Sequence, residues 1–533
     1  MLMLDKETRP VNTTFGGVPI NNITKGLPKF VDSVCPDPDC KSVIRARMFE
    51  EGGKVYMEKT CPVHGYFKDV YWSDVELYLK AERWEFGDYP GHLNPNTHSE
   101  VCPRDCGVCQ QHTSHTALGN IDLTNRCNLT CPICFANANV TGQVYEPTRE
   151  QVVEMLRLYR KEQPVAGRVV QFSGGEPTIH PDFFSILEAA RDLGFSHQQI
   201  ASNGIKLADP SFAQRAADCG LHTIYLQFDG LDDNVYRKTR GRELLDIKMK
   251  AVESIRRAGM RIVYVPTIAG GINEDQVGKI LQFAIDNIDV SSGISYQPVA
   301  LTGRISYEER QKLRFTLPDL VREIGAQTGY TCKDDWYPLS LVNPFSKMLS
   351  AIRGEDTIHL SCHPHCSLGT YLAIEPATKR PVPITRFVDV EGFFTELDRQ
   401  SEKLNGARFK RIAQVNALFQ LQKYFKRQEA PQGMDFKAFL HSLDGMTDKT
   451  IGRNDEEKTY KLLLVAGMHF MDGYNYELER VRRCVIHYAT PAGRIIPFCA
   501  YNGGFVHRNE IEREYSVPLA EYQRRRAERA AQA

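Results

Sequence analysis

The sequence predicts an α/β fold built on a partial six-stranded (β/α)6 parallel barrel, with small metal-binding modules before it and a cysteine-bearing domain after it. Three observations predict this. Between residues 118 and 299, short β-branched runs alternate six times with stretches of helical period. Thirteen of the fifteen cysteines fall into four groups beside Pro, Gly and His. The 533 residues, at ordinary hydrophobic (42%) and charged (25%) content, are too many for one core.

The elements follow in order. "MLMLDKETRP" meets Asp5 and Lys6 before an apolar leader can form, and no run of about 18 apolar residues follows anywhere, so a soluble cytoplasmic protein is expected. "VCPDPDCKS" and "KTCPVHGYF" supply Cys35, Cys40, Cys61 and His64 on two tight turns, joined by a hairpin around Glu51, Gly52 and Gly53. Paired knuckles of this kind hold a single zinc or a rubredoxin-like iron, although the gap between Cys35 and Cys40 is wider than usual. A second group, Cys102, Cys106 and Cys109, and a third, Cys127, Cys131 and Cys134, share the CxxxCxxC spacing. By counting alone, either triplet is able to borrow a zinc ligand from the other, and Cys219 or a histidine is a further candidate for the third.

Context separates them. The third triplet follows the strand "GNIDLT" and precedes "EQVVEMLRLYRKE", whose Val152, Met155, Leu156 and Tyr159 form one helical face. Five more strands follow, "RVVQFSGG", "HQQIASNG", "HTIYLQFDG", "RIVYVPTI" and "GISYQPV", with helices between them. This pattern places chemistry on loops at the strand C-termini. The second strand ends in Gly174, Gly175, Glu176 and Pro177; adjacent glycines let backbone approach a ligand closely, and a carboxylate receives an ammonium group. Much later, Cys362 and Cys366 in "LSCHPHCSLG" and the separate Cys484 and Cys499 make a closed four-thiol set, for an iron-sulfur cluster or zinc. Between them "RFKRIAQVNALFQLQKYFKRQ" places Ile412, Val415 and Phe419 at helical spacing beneath basic residues. Such a stripe suits a headgroup surface. It more often faces a core, and that is the reading adopted.

The 66 basic and 66 acidic residues cancel, which excludes a global field for recruiting nucleic acid. No Ser-His-Asp set, phosphate loop or paired-carboxylate motif appears.

A CxxxCxxC triplet one strand before a GGEP turn resembles the radical S-adenosylmethionine (SAM) enzymes over about residues 118–325. The resemblance implies that Cys127, Cys131 and Cys134 hold a [4Fe-4S] cluster whose fourth iron binds SAM. Gly174, Gly175 and Glu176 would meet the methionine amino group, and Ile133 the adenine. Ser202, Asn203, Gln227, Asp229 and Gln297 would touch ribose or methionine. An open coordination site on a low-potential cluster allows electron transfer into the sulfonium, giving a 5'-deoxyadenosyl radical. The flanking segments "KTCPVHGYF", "CPRDCGVCQQHTSH", "DDWYPLS" and "AGMHFMDGYNYELERVRRCVIHYATPAGRIIPFCAYN" are similar to the tetraether lipid synthase family along essentially the whole chain. Proteins of this group have also been named methyltransferases of a hydroxymethyl-dihydropterin.

The implied activity is carbon-carbon bond formation between terminal carbons of two lipid chains. The implied cofactors are SAM, three [4Fe-4S] clusters (one radical SAM, two auxiliary) and one mononuclear iron or zinc. A lipid substrate, a reducing electron donor, transient peripheral contact with a membrane surface and a monomeric state are expected. The organisation is then a metal-knuckle module (1–75), an auxiliary iron-sulfur segment (76–117), the radical SAM barrel (118–325) and a C-terminal auxiliary-cluster and substrate domain (326–533). For the second group's fourth ligand, His112, His115 and Cys332 are candidates. Rival readings are a radical methyltransferase acting on the pterin and a non-catalytic multi-cluster electron carrier.

Overall fold

The computed structural model describes residues 13–532 except 16–17, 21–22, 38, 41, 87–93, 135, 137, 140–141, 301–309, 311 and 448–459. The segment carrying Asp5 and Lys6 lies outside them. Four antiparallel strands form a meander: β1 (Lys29–Val34), β2 (Val43–Glu51), β3 (Lys54–Cys61) and β4 (Gly65–Trp72). Gly52 and Gly53, at φ of +60° and +77°, make the two-residue turn where the sequence placed it. Ala46, Met48, Met57 and Trp72 join the main core of the molecule, so this ribbon is packed down and does not stand free. Helix α1 (Val75–Glu82) follows, its first turn capped by the Asp74 carboxylate accepting from Leu77 N at 2.9 Å.

Six parallel strands are then laid side by side in chain order: β5 (Leu118–Thr124), β6 (Val169–Gly174), β7 (His197–Ser202), β8 (Thr223–Gln227), β9 (Arg261–Val265) and β10 (Ser291–Pro298). The helices between them are α2 (Arg149–Arg160), α3 (Phe183–Asp192), α4 (Pro210–Asp218), α5 (Asp233–Arg240), α6 (Leu245–Arg257) and α7 (Val277–Asp286). Val152, Met155, Leu156 and Tyr159 are the buried face of α2, as their spacing predicts, and Thr148 with Gln151 closes a capping box. The fold class expected from the sequence is the one found. Only α5 had no strand-alternation signal.

The sheet does not stop at six strands. After α8 (Leu317–Thr328) and α9 (Asn343–Arg353), β11 (Ser367–Ile374) and β12 (Pro381–Pro383) lie antiparallel beyond β13 (Lys461–Met468). Strand β13 itself pairs parallel with β10, Leu464 opposite Gly293. A Cβ at 293 would come within 3.0 Å of Leu464, so glycine permits that pairing. At the opposite edge β14 (Ile486–Ala489) pairs parallel with β5, and β15 (Ile495–Pro497) follows it. The division drawn at residue 325 therefore coincides with no break in the sheet. Residues beyond it cover both raw edges of the barrel strands.

A helical layer completes the architecture: α10 (Val390–Asn405), α11 (Lys410–Gln422) and α12 (Phe436–Thr447) gather with α9 around Phe387, Phe393, Phe394 and Phe425. Here the core-facing assignment of the α11 stripe fails. Ile412, Val415 and Phe419 are 70%, 54% and 65% exposed, and the inward side is made by Ala417 and Leu421, both 4% exposed. Periodicity reports that a helix has an apolar face, not what that face meets. Among the described residues no helix is long and apolar enough to cross a membrane.

Candidate active site and metal centres

Cys127, Cys131 and Cys134 sit on the loop leaving β5; Cys127 and Cys131 pack on Leu129, Tyr236 and Leu244. The GGEP turn is stitched directly to the start of that loop. Gly175 N donates to Thr124 O at 2.7 Å, and Glu176 N to Arg126 O at 2.9 Å. A Cβ on Gly174 would lie 2.2 Å from Thr124 O, and one on Gly175 2.2 Å from Arg126 O. Both clashes are with backbone. The close approach these glycines permit is therefore to the residues leading into the triplet.

Glu176 turns inward. Its Oε1 accepts from Ser202 Oγ at 2.9 Å and Thr178 Oγ1 at 2.6 Å, and its Oε2 from Asn203 N at 2.8 Å. Burial raises its carboxyl above the usual range while these bonds pull the other way. The side chain thus joins the ends of β6 and β7. Asn203 carries the connection onward, with Nδ2 donating to Asn128 Oδ1 at 2.6 Å and lying 3.9 Å from Cys127 Sγ.

Beyond β8, Asp229 is fully buried in the fork of Arg240, with Nε to Oδ2 at 2.6 Å and Nη2 to Oδ1 at 2.9 Å. Burial alone would raise the Asp229 carboxyl, but Arg240 and the Thr267 N–H outweigh it and hold it below the usual range. Arg240 Nη1 also donates to Ile133 O at 3.2 Å, so it fixes the backbone just before Cys134. Lys248, fully buried, donates to Asn203 O at 2.6 Å and Gln227 Oε1 at 2.7 Å; burial brings its ammonium down to about 7. Arg240 and Lys248 lie on α5 and α6, where no motif marks them. Gln297 stays apart: its N–H goes to Pro266 O, and among the described residues no hydrogen bond joins it to the triplet loop.

The ribbon turns bring the ligating atoms of Cys35, Cys40, Cys61 and His64 within 4.8 Å of one another. Tetrahedral thiolates at a zinc-sulfur distance of about 2.3 Å stand about 3.8 Å apart, so this set needs little contraction to close on a single ion.

A family model of the radical SAM superfamily matches residues 121–284, and one described as the HMPTM N-terminal zinc ribbon domain matches residues 27–73. A protein of Methanocaldococcus jannaschii named 7,8-dihydro-6-hydroxymethylpterin dimethyltransferase is 41% identical over 495 residues, 92% of this chain and 96% of its own. The chain belongs to the radical SAM superfamily. It is also 26% identical to a GTP 3',8-cyclase of Paracoccus denitrificans over 40% of this chain and 60% of that protein. A structure of Streptococcus suis SuiB bound to S-adenosylmethionine covers 39% of this chain and 46% of its own, at 21% identity and a TM-score of 0.33.

A radical SAM fold brings SAM and a [4Fe-4S] cluster, and the triplet's donor set fits that cluster. Burial pushes the Cys127 thiol up to about 12, reinforced by Glu176, and raises Cys131 against the pull of Arg240. Protein groups alone leave these thiols protonated at neutral pH, and a metal centre is what draws such sulfurs into thiolates. Unlike the ribbon set, the triplet is not gathered to single-ion spacing.

In this radical SAM protein the fourth cysteine group assembles from distant segments. Cys362 is buried and Cys366, Cys484 and Cys499 are partly buried; burial first, then one another's charge, raises the thiols of Cys362 and Cys484. Cys102, Cys106 and Cys109 wall a small space with Ser99, His112 and Arg482. Tyr476 lies between the two groups, its phenol pushed well above its usual range by burial, then by Cys106 and Cys499. Of the candidate fourth ligands for the second group, two are elsewhere. His115 Nε2 accepts from His359 N at 2.8 Å, and Cys332 is exposed. His112 reaches the space, with its Nε2 2.9 Å from Cys484 O and 3.0 Å from His487 Nε2.

Sequence reasoning missed a convergence of His363, His365 and Glu477, all fully buried with ligating atoms within 4.8 Å. Two histidines inside "SCHPHC" were the available signal; Glu477 was not foreseeable. His363 Nδ1 accepts from His365 N at 3.2 Å, while His363 Nε2 and Glu477 Oε1 face each other at 3.7 Å and neither makes a hydrogen bond among the described residues.

Proposed function

We propose that this radical SAM enzyme joins the terminal carbons of two lipid hydrocarbon chains. The observation supporting this reading is a cavity of about 200 Å³ on the lumen side of the sheet. Its walls include Tyr225 and Val263 from the barrel, Ala466 from β13, and Leu341, Phe394 and Phe439 from the helical layer. Tyr225 stands two residues before Gln227, so at about 3.3 Å per strand residue the cavity begins about 7 Å from the expected SAM contacts. An apolar surround suits an unactivated alkyl chain, which offers nothing to hydrogen-bond.

When bound, the triplet's cluster and SAM would supply a 5'-deoxyadenosyl radical able to abstract hydrogen from such carbon. The chain's own residues hold the geometry. Arg240 pins the Ile133 carbonyl, Asn203 and Glu176 tie the later strand ends to the cysteine loop, and the cavity walls keep water from the reacting carbons. Each bond formed removes two hydrogens and uses two SAM molecules and two electrons, so an external reductant is part of the proposal. So are two auxiliary [4Fe-4S] clusters, at Cys102/Cys106/Cys109 and Cys362/Cys366/Cys484/Cys499, and one zinc or iron in the ribbon.

A second reading is methylation of a hydroxymethyl-dihydropterin. The name of the Methanocaldococcus relative supports it. So do two cavity hydroxyls, Ser367 and Thr370, that have no hydrogen-bond partner. Against it, the cavity's carboxylate is already engaged: Asp335 holds Thr385 Oγ1 and the Cys332 N–H, leaving little to match the donor edge of a pterin.

Anaerobic incubation with SAM, reductant and either substrate, read by mass spectrometry, separates the two. Coupling yields a lipid product lighter by two hydrogens, with 5'-deoxyadenosine and no S-adenosylhomocysteine. A pterin product heavier by a methylene unit, with S-adenosylhomocysteine, overturns the lipid reading.

A further inference from the structure

We propose that α11, with the preceding Phe409, is a docking surface for an anionic lipid bilayer. The helix has two unlike sides. Ala413, Ala417 and Leu421 pack on the helical layer, while Phe409, Ile412, Val415 and Phe419 project from the other side at 65%, 70%, 54% and 65% exposure. At 100° per residue these four fall within an arc of about 120° centred opposite Leu421. Isolated exposed apolar side chains are ordinary, but four in one stripe, two of them phenylalanine, mark an interaction site.

The charge pattern selects the occupant. From Lys403 to Arg427 there are seven lysines and arginines and no aspartate or glutamate, in a chain whose 66 basic and 66 acidic residues cancel overall. Arg408, Arg411 and Lys423 are exposed around the stripe. An apolar face rimmed by cations seats its rings at the acyl boundary and its charges among anionic headgroups. A second copy of this chain would bring seven further cations to the same place and be repelled.

The placement is also favourable. Ala417 and Leu421 belong to the same apolar cluster as Phe394 and Phe439, which line the cavity. A single helical layer therefore separates the proposed membrane face from the proposed substrate space. This inference goes beyond the reaction, and it is read without SAM or substrate, so it stands or falls apart from the coupling proposal.

The test uses the full chain, flotation on vesicles rich in phosphatidylglycerol, and pure phosphatidylcholine vesicles as the control. Wild type should float with the anionic vesicles, less so as salt rises. The triple variant Arg408→Gln, Arg411→Gln, Lys423→Gln should bind about a hundredfold more weakly, taking about 1 kcal/mol per cation near the surface. The double variant Ile412→Ser, Phe419→Ser should lose binding even at low salt. Both should keep the wild-type circular dichroism and melting midpoint, because the changed side chains are exposed. Equal flotation of the apolar variant and wild type would overturn the proposal. So would an unchanged salt response in the charge variant, or a change of the apolar variant's oligomeric state in place of its vesicle affinity.

Discussion

Replacing Arg240 with Gln removes the fork that holds Asp229 and leaves a carboxylate with no exposed surface beside an amide that cannot match it. Taking away one partner of a buried pair costs about 3–5 kcal/mol, because the other charge remains uncompensated. Thr267 N donates to Asp229 Oδ1 at 3.1 Å, so its amide reports the loss directly. If local opening governs its exchange, that cost accelerates deuterium uptake at Thr267 by about two to three and a half orders of magnitude. The loop carrying Ile133 should lose protection with it, since Arg240 holds that carbonyl. The assay is amide exchange followed by mass spectrometry, on wild type, Arg240→Gln and the double variant Asp229→Asn, Arg240→Gln. The double variant carries no orphaned charge and should recover part of the protection. An acceleration below tenfold in the single variant, or a double variant no better than the single, would refute the reasoning.

Four further outcomes are expected. Lys248 has a folded value of about 7, below an ordinary lysine at about 10.4, so between these limits the unfolded chain binds the extra proton and stability rises with pH; Lys248→Met should flatten the rise of melting midpoint with pH across that window. Gly175→Ala should leave the Cys127 loop unable to take up iron, because its Cβ meets Arg126 O at 2.2 Å, whereas Gly406→Ala, with nothing nearer than 4.0 Å, should match wild type; iron per chain and visible absorbance decide it. Cys61→Ser should drop one equivalent of zinc or iron and open the ribbon to protease, since its small local core cannot replace a metal. Ala466→Trp should fill the cavity, so that SAM is still cleaved while coupled product falls; undiminished product would place the substrate elsewhere.

The barrel was legible because its strands and helices are local, and each announces its own period. The triplet and GGEP were legible for the same reason, being contiguous. What escaped depends on distant pairing. Leu464 beside Gly293 and Ile486 beside Leu118 are parallel contacts between segments far apart in the chain, and a strand of eight residues reads like any short apolar run. Glu176 shows the limit within a motif: its position was foreseeable, but not its turn toward Ser202 and Asn203, because a carboxylate binds inward N–H and O–H donors as readily as a ligand. The side of α11 that faces solvent was hidden because apolar residues line two of its faces.

The late strands on both sides of the barrel bear on how the molecule is made. A ribosome delivers β5 through β10 long before it reaches Lys461, and until then the nascent sheet has two unsatisfied margins. The same late stretch brings Cys484 and Cys499, without which the fourth thiol set is half complete. Assembly of that thiol set thus waits on the end of translation, and a chain stalled before β13 is an open template for aggregation rather than a smaller working enzyme.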